Sequence, residues 1–302
     1  MQKTRFSNII CFGEVLWDML PSGAKPGGAP LNVAIHLNKQ KIHPILISKV
    51  GNDTEGNELL DFLNQSGLST NFIQTDISLP TSKVLVTLDD QKNATYEIVE
   101  PVAWDNISFT AEIEKAANAA DLIIFGSLAS RSNITRNTLF QLLENSEATR
   151  LLDVNLRPPF DNHEFIQNLL LKSDFVKLND DELHTIAGWQ NKKGSESELI
   201  KWLAETFNNQ TVCVTRGANG AALWFENKLV EHPGFKVKAE DTVGAGDSFL
   251  AALVTELSKH ENPQVALEIA CATGALVASK HGAVPNYSKT EINQLRNSGS
   301  IG

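Results

Sequence analysis

Cysteine is scarce: the chain has three in 302 residues, Cys11, Cys213 and Cys271, and they lie far apart. That spacing excludes a disulfide framework, and two of the three sit in apolar strand-like runs. They read as buried free thiols of a cytoplasmic protein. Long apolar runs are missing as well. A membrane helix needs roughly 18 consecutive apolar residues, whereas Ile9–Phe12 and Leu122–Phe125 are only strand-length. Met1–Asn8 has scattered charge with no apolar core behind it, which predicts no secretory signal. Basic residues are outnumbered, 26 Lys plus Arg against 36 Asp plus Glu, for a net charge of −10. No Lys/Arg stripe is left to follow a nucleic-acid backbone, so neither nucleic acid nor a membrane is an expected partner. The seven histidines, His36, His43, His163, His184, His232, His260 and His281, lack paired metal-ligand spacing and read as surface or helix-face residues. There is no fixed-period repeat and no linker rich in Pro, Gly or Ser.

What is present is an ordinary globular composition, 42% apolar and 21% charged, enough for one large α/β unit with an accessory piece. Short β-branched runs alternate with longer amphipathic stretches. Strands are predicted at Ile9–Phe12, Ile45–Ser48, Leu122–Gly126, Leu151–Val154, Phe175–Leu178 and Val212–Thr215. Helices are predicted at Pro30–Leu37, Glu55–Gln65, Ala111–Ala119, Thr135–Leu143, Glu164–Leu171 and Asp181–Ala187. The last third adds Ser195–Phe207, Asp247–Leu257 and Val265–Ser279, and Asn297–Gly302 reads as a frayed tail. Several strands are wholly apolar, as when helices cover both faces. The expected fold is α/β: a doubly wound, mostly parallel sheet with helices on both faces.

Thr81–Ile107 breaks the rhythm. Ser82–Leu88 and Thr95–Val99 alternate like strands around a polar turn at Asp89–Asn93. A hairpin there projects more readily as a flap over the carboxyl-end crevice than into the sheet. With Leu16–Pro26 as a neighbouring piece, the chain reads as one domain over 1–302 with a small β lid from about 16–30 and 81–107. A projecting hairpin leaves strand edges unpaired, which predicts a homodimer through the lid.

The most informative stretch is Asp241-Thr242-Val243-Gly244-Ala245-Gly246-Asp247-Ser248-Phe249, because helical spacing begins right after it. Gly244 and Gly246 let main chain approach a ligand, and amides at a helix start form an anion cradle. An acid would repel a phosphate there, so Asp247 suits a base facing an acceptor hydroxyl, the minimum set for phosphoryl transfer. Alone, a tight turn whose Asp caps the helix explains Gly-x-Gly-Asp equally well. The chain has no Gly-x-x-x-x-Gly-Lys-Ser/Thr loop and no Gly-x-Gly-x-x-Gly after its first strand, which excludes a P-loop and argues against dinucleotide chemistry.

Two stretches together resemble the ribokinase-like, or PfkB, family of sugar kinases. Asp241–Phe249 is similar to its carboxyl-terminal signature. Gly27-Gly28-Ala29-Pro30-Leu31-Asn32-Val33-Ala34, continuing to Val50-Gly51-Asn52-Asp53 and Gly56, is similar to its amino-terminal one. The resemblance runs from about Ile9 to Pro285. Gly13-Glu14-Val15-Leu16-Trp17-Asp18, Phe125–Ala129 and Asp153-Val154-Asn155-Leu156-Arg157 resemble the fructokinase branch. The resemblance implies an α/β/α sandwich with a β lid, ATP as donor, Mg²⁺, and a sugar between sheet and lid. Asp247 then matches the catalytic base, and Gly244, Ala245 and Gly246 the anion hole. Asp18, Gly27, Gly28 and Asn32 match sugar contacts, and Arg157 a position near the transferred phosphate.

Asn179 and Glu182 resemble an Asn-x-x-Glu motif that arranges Mg²⁺ through water, though a helix cap with an acidic first turn explains them too. Thr215, Gly217 and Gly220 resemble a nucleotide-phosphate turn. Asp241 and Val243, with the loop at Gly282-Ala283, resemble a K⁺ site of some relatives. Cys271 stands where the family often has Asn near the adenine. Trp17 and Trp104 either wall the sugar pocket or simply pack. The leading expectation is ATP-dependent phosphorylation of fructose. A 2-keto-3-deoxygluconate, ribose or nucleoside kinase of the same fold is the alternative; an acid sugar would need a cation such as Lys25 or Lys83. An inactive sugar-binding regulator is the alternative outside enzymes.

Overall fold

A computed structural model describes residues 6–20, 23–88, 94–259 and 262–301. The first half runs β1 Ile9–Phe12, β2 Leu16–Leu20, β3 Gly23–Gly27, α1 Ala29–Lys39, β4 Ile45–Gly51, α2 Thr54–Gln65, β5 Ile73–Asp76, β6 Ser82–Leu88 and β7 Ala94–Ile98. Then follow α3 Ala111–Ala119, β8 Leu122–Gly126, α4 Asn133–Glu144, β9 Thr149–Asp153, α5 His163–Leu171, β10 Phe175–Asn179, α6 Asp180–Trp189 and α7 Glu196–Phe207. The chain continues with β11 Thr211–Thr215, β12 Ala221–Phe225, β13 Lys228–His232, β14 Lys236–Val237, α8 Ala245–Ser258, α9 Pro263–Ala278, α10 Lys289–Ser298 and β15 Ser300–Ile301.

Nine strands form one sheet in the order β13-β12-β11-β10-β9-β8-β1-β4-β5. Pairing is parallel from β5 across to β11; only the β11–β12 and β12–β13 pairs are antiparallel. The doubly wound expectation is met. Every residue of β1 and β8 is buried, because helices cover both sides. Alternation along β1 divides the core. Ile9 and Cys11 join the side packed by α1, α2, α8, α9 and α10, while Ile10 and Phe12 join the side packed by α3 to α7. From β1 the sheet is built outward in both directions, to β4 on one side and β8 on the other. The loops after β1 and β8 therefore part at the strands' carboxyl ends, which opens a crevice there.

A second, four-stranded sheet in the order β3-β2-β6-β7 supplies the flap. Its β6–β7 hairpin matches the predicted strands to within a residue, and β2 lies parallel to β6 with Asp18 opposite Val84. The predicted turn Asp89–Asn93 lies outside the described residues. The flap is shorter than its expected span to Ile107. Val102, Ala103, Trp104 and Ile107 are fully buried against the main sheet. Trp104 packs the core and walls no pocket: the Arg131 guanidinium lies 4.0 Å over its ring and binds Asp105 at 2.8 Å and the Val99 carbonyl at 2.9 Å. This anchors the returning chain after β7.

Other expectations change. The segment read as a frayed tail is ordered at its start, because α10 continues to Ser298 and β15 pairs with β14. His36 is neither on the surface nor on an exposed helix face but completely buried; His260 lies outside the described residues. All three cysteines are free and buried. Among the described residues, no helix is long and apolar enough to cross a membrane. Trp104→Ala removes the ring on which Arg131 rests and leaves a large cavity, so a loss of about 3–5 kcal/mol is expected in denaturant unfolding at pH 7.

Candidate active site

Helix α8 starts at the crevice for a local reason. Gly244, its N-cap residue, has φ 76°, the left-handed region open to glycine, and any side chain there would strike the backbone of Ala283. The turn exposes the first amides of α8. Ala245 N–H makes a long 3.3 Å bond to the Thr242 carbonyl. Those of Gly246 and Asp247 find no acceptor among the described residues. A helix start with free N–H groups attracts an anion.

Asp247 sits in the first turn of α8, and its Oδ2 accepts a 2.8 Å hydrogen bond from Asn32 Nδ2 of α1. Burial and the nearby Asp153 carboxylate push its carboxyl up to about 6, against the pull of Lys177, Asn32 and Arg157. A carboxyl at that position is ionised near neutrality and still basic enough to take a proton.

Three residues given no individual role in the sequence reading, Lys177, Asp153 and Glu14, complete the charge pattern. The Lys177 ammonium of β10 pairs with Asp153 Oδ1 of β9 at 2.8 Å, the two side chains being 10% and 5% exposed. The same ammonium lies 3.3 Å from where a side-chain carbon on Gly246 would stand. Burial pulls Lys177 down, but Asp153, Glu182 and Asp247 outweigh it and hold it at about 12, fully charged. Glu14, after β1, is 3% exposed. Burial pushes its carboxyl up to about 7, opposed by backbone amides and Arg157. Asp153 opened the stretch that resembles the fructokinase branch, and both residues are polar in otherwise apolar strands, Asp153 after Leu151-Leu152 and Lys177 between Val176 and Leu178.

Glu14 Oε2, Asn32 Oδ1 and Asp153 Oδ2 are buried with no protein partner. All three side chains neighbour Asp247 by bond or by field. A buried acceptor without a donor costs about 1–3 kcal/mol. A ligand rich in hydroxyl groups removes that cost.

The other sequence candidates fall around this point. Asp18 of β2 rests against Gly27, where a side chain would collide with its carboxylate. Burial raises its carboxyl to about 6 against Arg157. Gly28, φ 114°, is the N-cap residue of α1, and its backbone passes so close to the Glu14 carbonyl that a side chain is excluded. The Arg157 side chain is exposed, with one bond to the carbonyl of Leu156, yet its charge acts on Glu14, Asp18 and Asp247 alike. Trp17 donates to the Glu55 carbonyl at 3.0 Å, tying the small sheet to α2.

Asn179 and Glu182 form a reciprocal cap on α6, 2.8 Å in each direction, and Glu182 Oε1 also takes the Leu156 amide at 2.8 Å. The capping explanation is therefore real. Each Glu182 oxygen retains a lone pair, which suits an ion held through water rather than directly. Among the described residues no group of three His, Cys, Asp or Glu could hold a metal. Thr215 lies beside Asn179 in the β10–β11 register, and Gly217 and Gly220 bracket the turn into β12. Asp241 accepts from the amides of Val243 and Gly282, both at 3.0 Å, so it braces the turn before α8 to the loop after α9. Cys271 is buried on α9.

The pfkB family carbohydrate kinase model matches residues 22–290. The chain belongs to that family. It is 30% identical to fructokinase-2 of Solanum habrochaites over 305 residues, 92% of each chain. It also overlays a Xylella fastidiosa fructokinase crystallised with ATP, with a TM-score of 0.84 over 97% of this chain and 98% of that one, at 22% identity. A Vibrio cholerae fructokinase double mutant, crystallised with fructose, ADP and potassium ion, overlays with a TM-score of 0.81 over 96% and 98%, at 23% identity. The pfkB match and the fructokinase relatives make this an ATP-dependent sugar kinase.

In this pfkB kinase Asp247 is held in a place that disfavours its charge. Its folded pKa of about 6 exceeds the ordinary 3.8, so the ionised carboxylate costs stability above about pH 6 and nothing below 3.8. Asp247→Asn is therefore expected to melt higher than the parent at pH 8. The gain should shrink as pH falls through 6 and vanish near 3.8, measured by calorimetry across that range.

Proposed function

We propose that the chain transfers the γ-phosphoryl group of ATP to a hydroxyl of fructose, with Asp247 as general base. The carrying observation is the 2.8 Å bond by which Asn32, on the helix begun by Gly27-Gly28, holds the Asp247 carboxylate at the free amides of α8. A sugar hydroxyl reaching the unpartnered Asn32 oxygen also reaches Asp247. Asp247 accepts its proton as the oxygen attacks phosphorus. The Gly246 and Asp247 amides, backed by the helix dipole, and the Lys177 ammonium face the negative charge on the transferred group.

Asp18, Gly27, Gly28 and Arg157 complete the sugar side, and Ala245 with Gly244 the anion hole. Thr215, Gly217 and Gly220 take the nucleotide phosphates. Asn179 and Glu182 would hold Mg²⁺ through water, and the ion would supply further charge neutralisation to those phosphates. Asp241 draws its own turn and the Gly282 loop together, and main-chain carbonyls there with that of Val243 suit K⁺. The small sheet acts as a lid that excludes water and so limits wasteful hydrolysis of ATP. Buried free thiols fit a cytoplasmic setting.

Fructose is favoured over an acid sugar because Lys83 is already engaged by Glu55 at 2.5 Å. The relative at 30% identity is named a fructokinase. With Mg²⁺-ATP, ADP release across fructose, glucose, ribose, ketodeoxygluconate and adenosine should be fastest with fructose. Asp247→Asn should lower kcat by about 10²–10⁴-fold while sugar binding persists. Ordinary turnover in that variant removes the assigned base; sugar binding with no ADP from the parent identifies a regulator.

The lid also suits a homodimer. Leu85 of β6 is 37% exposed while its neighbour Val84 is buried, and β3 and β7 are open edges of the small sheet. Light scattering at micromolar concentration should give twice the chain mass, and Leu85→Asp should give the single mass.

A further inference from the structure

Four residues after Asn32, on the same face of α1, stands His36. It is wholly buried, and both ring nitrogens are engaged: Nε2 with the Ala283 carbonyl at 3.0 Å, Nδ1 with the Tyr287 hydroxyl at 2.9 Å. A carbonyl oxygen can only accept, so Nε2 carries the hydrogen. In the neutral ring Nδ1 then accepts, and the Tyr287 O–H donates. Burial keeps the ring neutral, lowering its pKa to about 4 despite the Ala283 bond. The Tyr287 ring stacks on it at 5.6 Å between centroids.

One turn further along α1, Lys39 donates to the carbonyls of Val284 at 2.6 Å and Pro285 at 2.7 Å. Three successive carbonyls of the loop after α9 are thus claimed by one helix. That loop is what Gly244 rests on, since the Ala283 backbone fills the space of any side chain at 244. Asp241 completes the junction by binding the Gly282 amide. The contact from His36 to the start of α8 runs through Ala283, whose carbonyl takes Nε2–H and whose backbone leaves no room for a side chain at Gly244.

We propose that His36, as the Nε2–H tautomer, is a positioning residue for phosphoryl transfer: it fixes Ala283 under Gly244 and so aims the first amides of α8, while Asn32 on the same helix holds the base. The two halves of the reaction, proton removal and phosphate stabilisation, are then referenced to one helix. His36 touches neither sugar nor nucleotide. It acts on the step in which negative charge builds at the amides, not on ground-state binding. Misplacing such groups by about 1 Å can cost about 10²-fold in rate.

This inference rests on the proposed kinase reading, and the test separates the two. Steady-state kinetics of parent, His36→Ala, His36→Gln and Tyr287→Phe are compared with fructose and Mg²⁺-ATP, with Asp247→Asn as the inactive reference. His36→Ala is expected to lower kcat about 10- to 100-fold, with the fructose KM within about two-fold of the parent. His36→Gln, whose amide can still donate to Ala283, should recover most of that loss. Tyr287→Phe, which frees the tautomer, should fall between. Nitrogen NMR of the parent at pH 7 should show His36 protonated at Nε2 and bare at Nδ1, and this arm holds even if His36→Ala does not fold. An active parent with an unchanged kcat in His36→Ala, no recovery in His36→Gln, or an Nδ1–H tautomer overturns the proposal alone. A parent inactive on every sugar overturns the kinase reading and this inference with it.

Discussion

The hydrogen bond from Asn32 to Asp247 joins residues 215 positions apart in the chain and is the point on which the site depends. It places a side-chain amide from the start of the first helix against a carboxylate at the start of the eighth. In the proposed reading the acidic group serves the phosphate end of the crevice and its partner the sugar end. Neither helix is held there by this bond alone. Leu31 and Ala34 of α1 and Phe249 and Leu250 of α8 share one core layer, so apolar burial sets the distance and the hydrogen bond sets the orientation.

Burial has a second effect. Four acids, Glu14, Asp18, Asp153 and Asp247, gather around one guanidinium and one ammonium. The last two of those acids influence each other directly. Burial first, and the Asp153 charge second, hold the Asp247 carboxyl at about 6 rather than fully acidic. The stability lost to the ionised Asp247 is the counterpart of its basicity.

Much of this was legible in the amino-acid order. The parallel core showed as apolar runs bounded by helical periodicity, and the start of α8 showed as Gly-x-Gly-Asp before a helical stripe. Those signals are local, so sequence carries them. The remainder is not local. Lys177 was one charge in an otherwise apolar strand until β9 brought Asp153 alongside, and Trp104 looked like a flap residue until Arg131, from beyond β8, covered its ring. His36 carried no distinguishing pattern because its partners come from a loop some 250 residues later. Strands β12 and β13 escaped notice: β12 is a short apolar run directly after a turn, and β13 is a partly exposed strand at the sheet's edge.

The ion pair beneath Gly246 has a further consequence. Charges on the outside of the molecule, in a chain whose net charge is −10, are damped by dissolved salt over a Debye length of about 8–10 Å. The Lys177–Asp153 pair has almost no contact with that solution. Ionic strength will therefore alter how fast a polyanionic nucleotide meets this acidic surface, while the field of the buried pair stays nearly the same in dilute buffer and in brine.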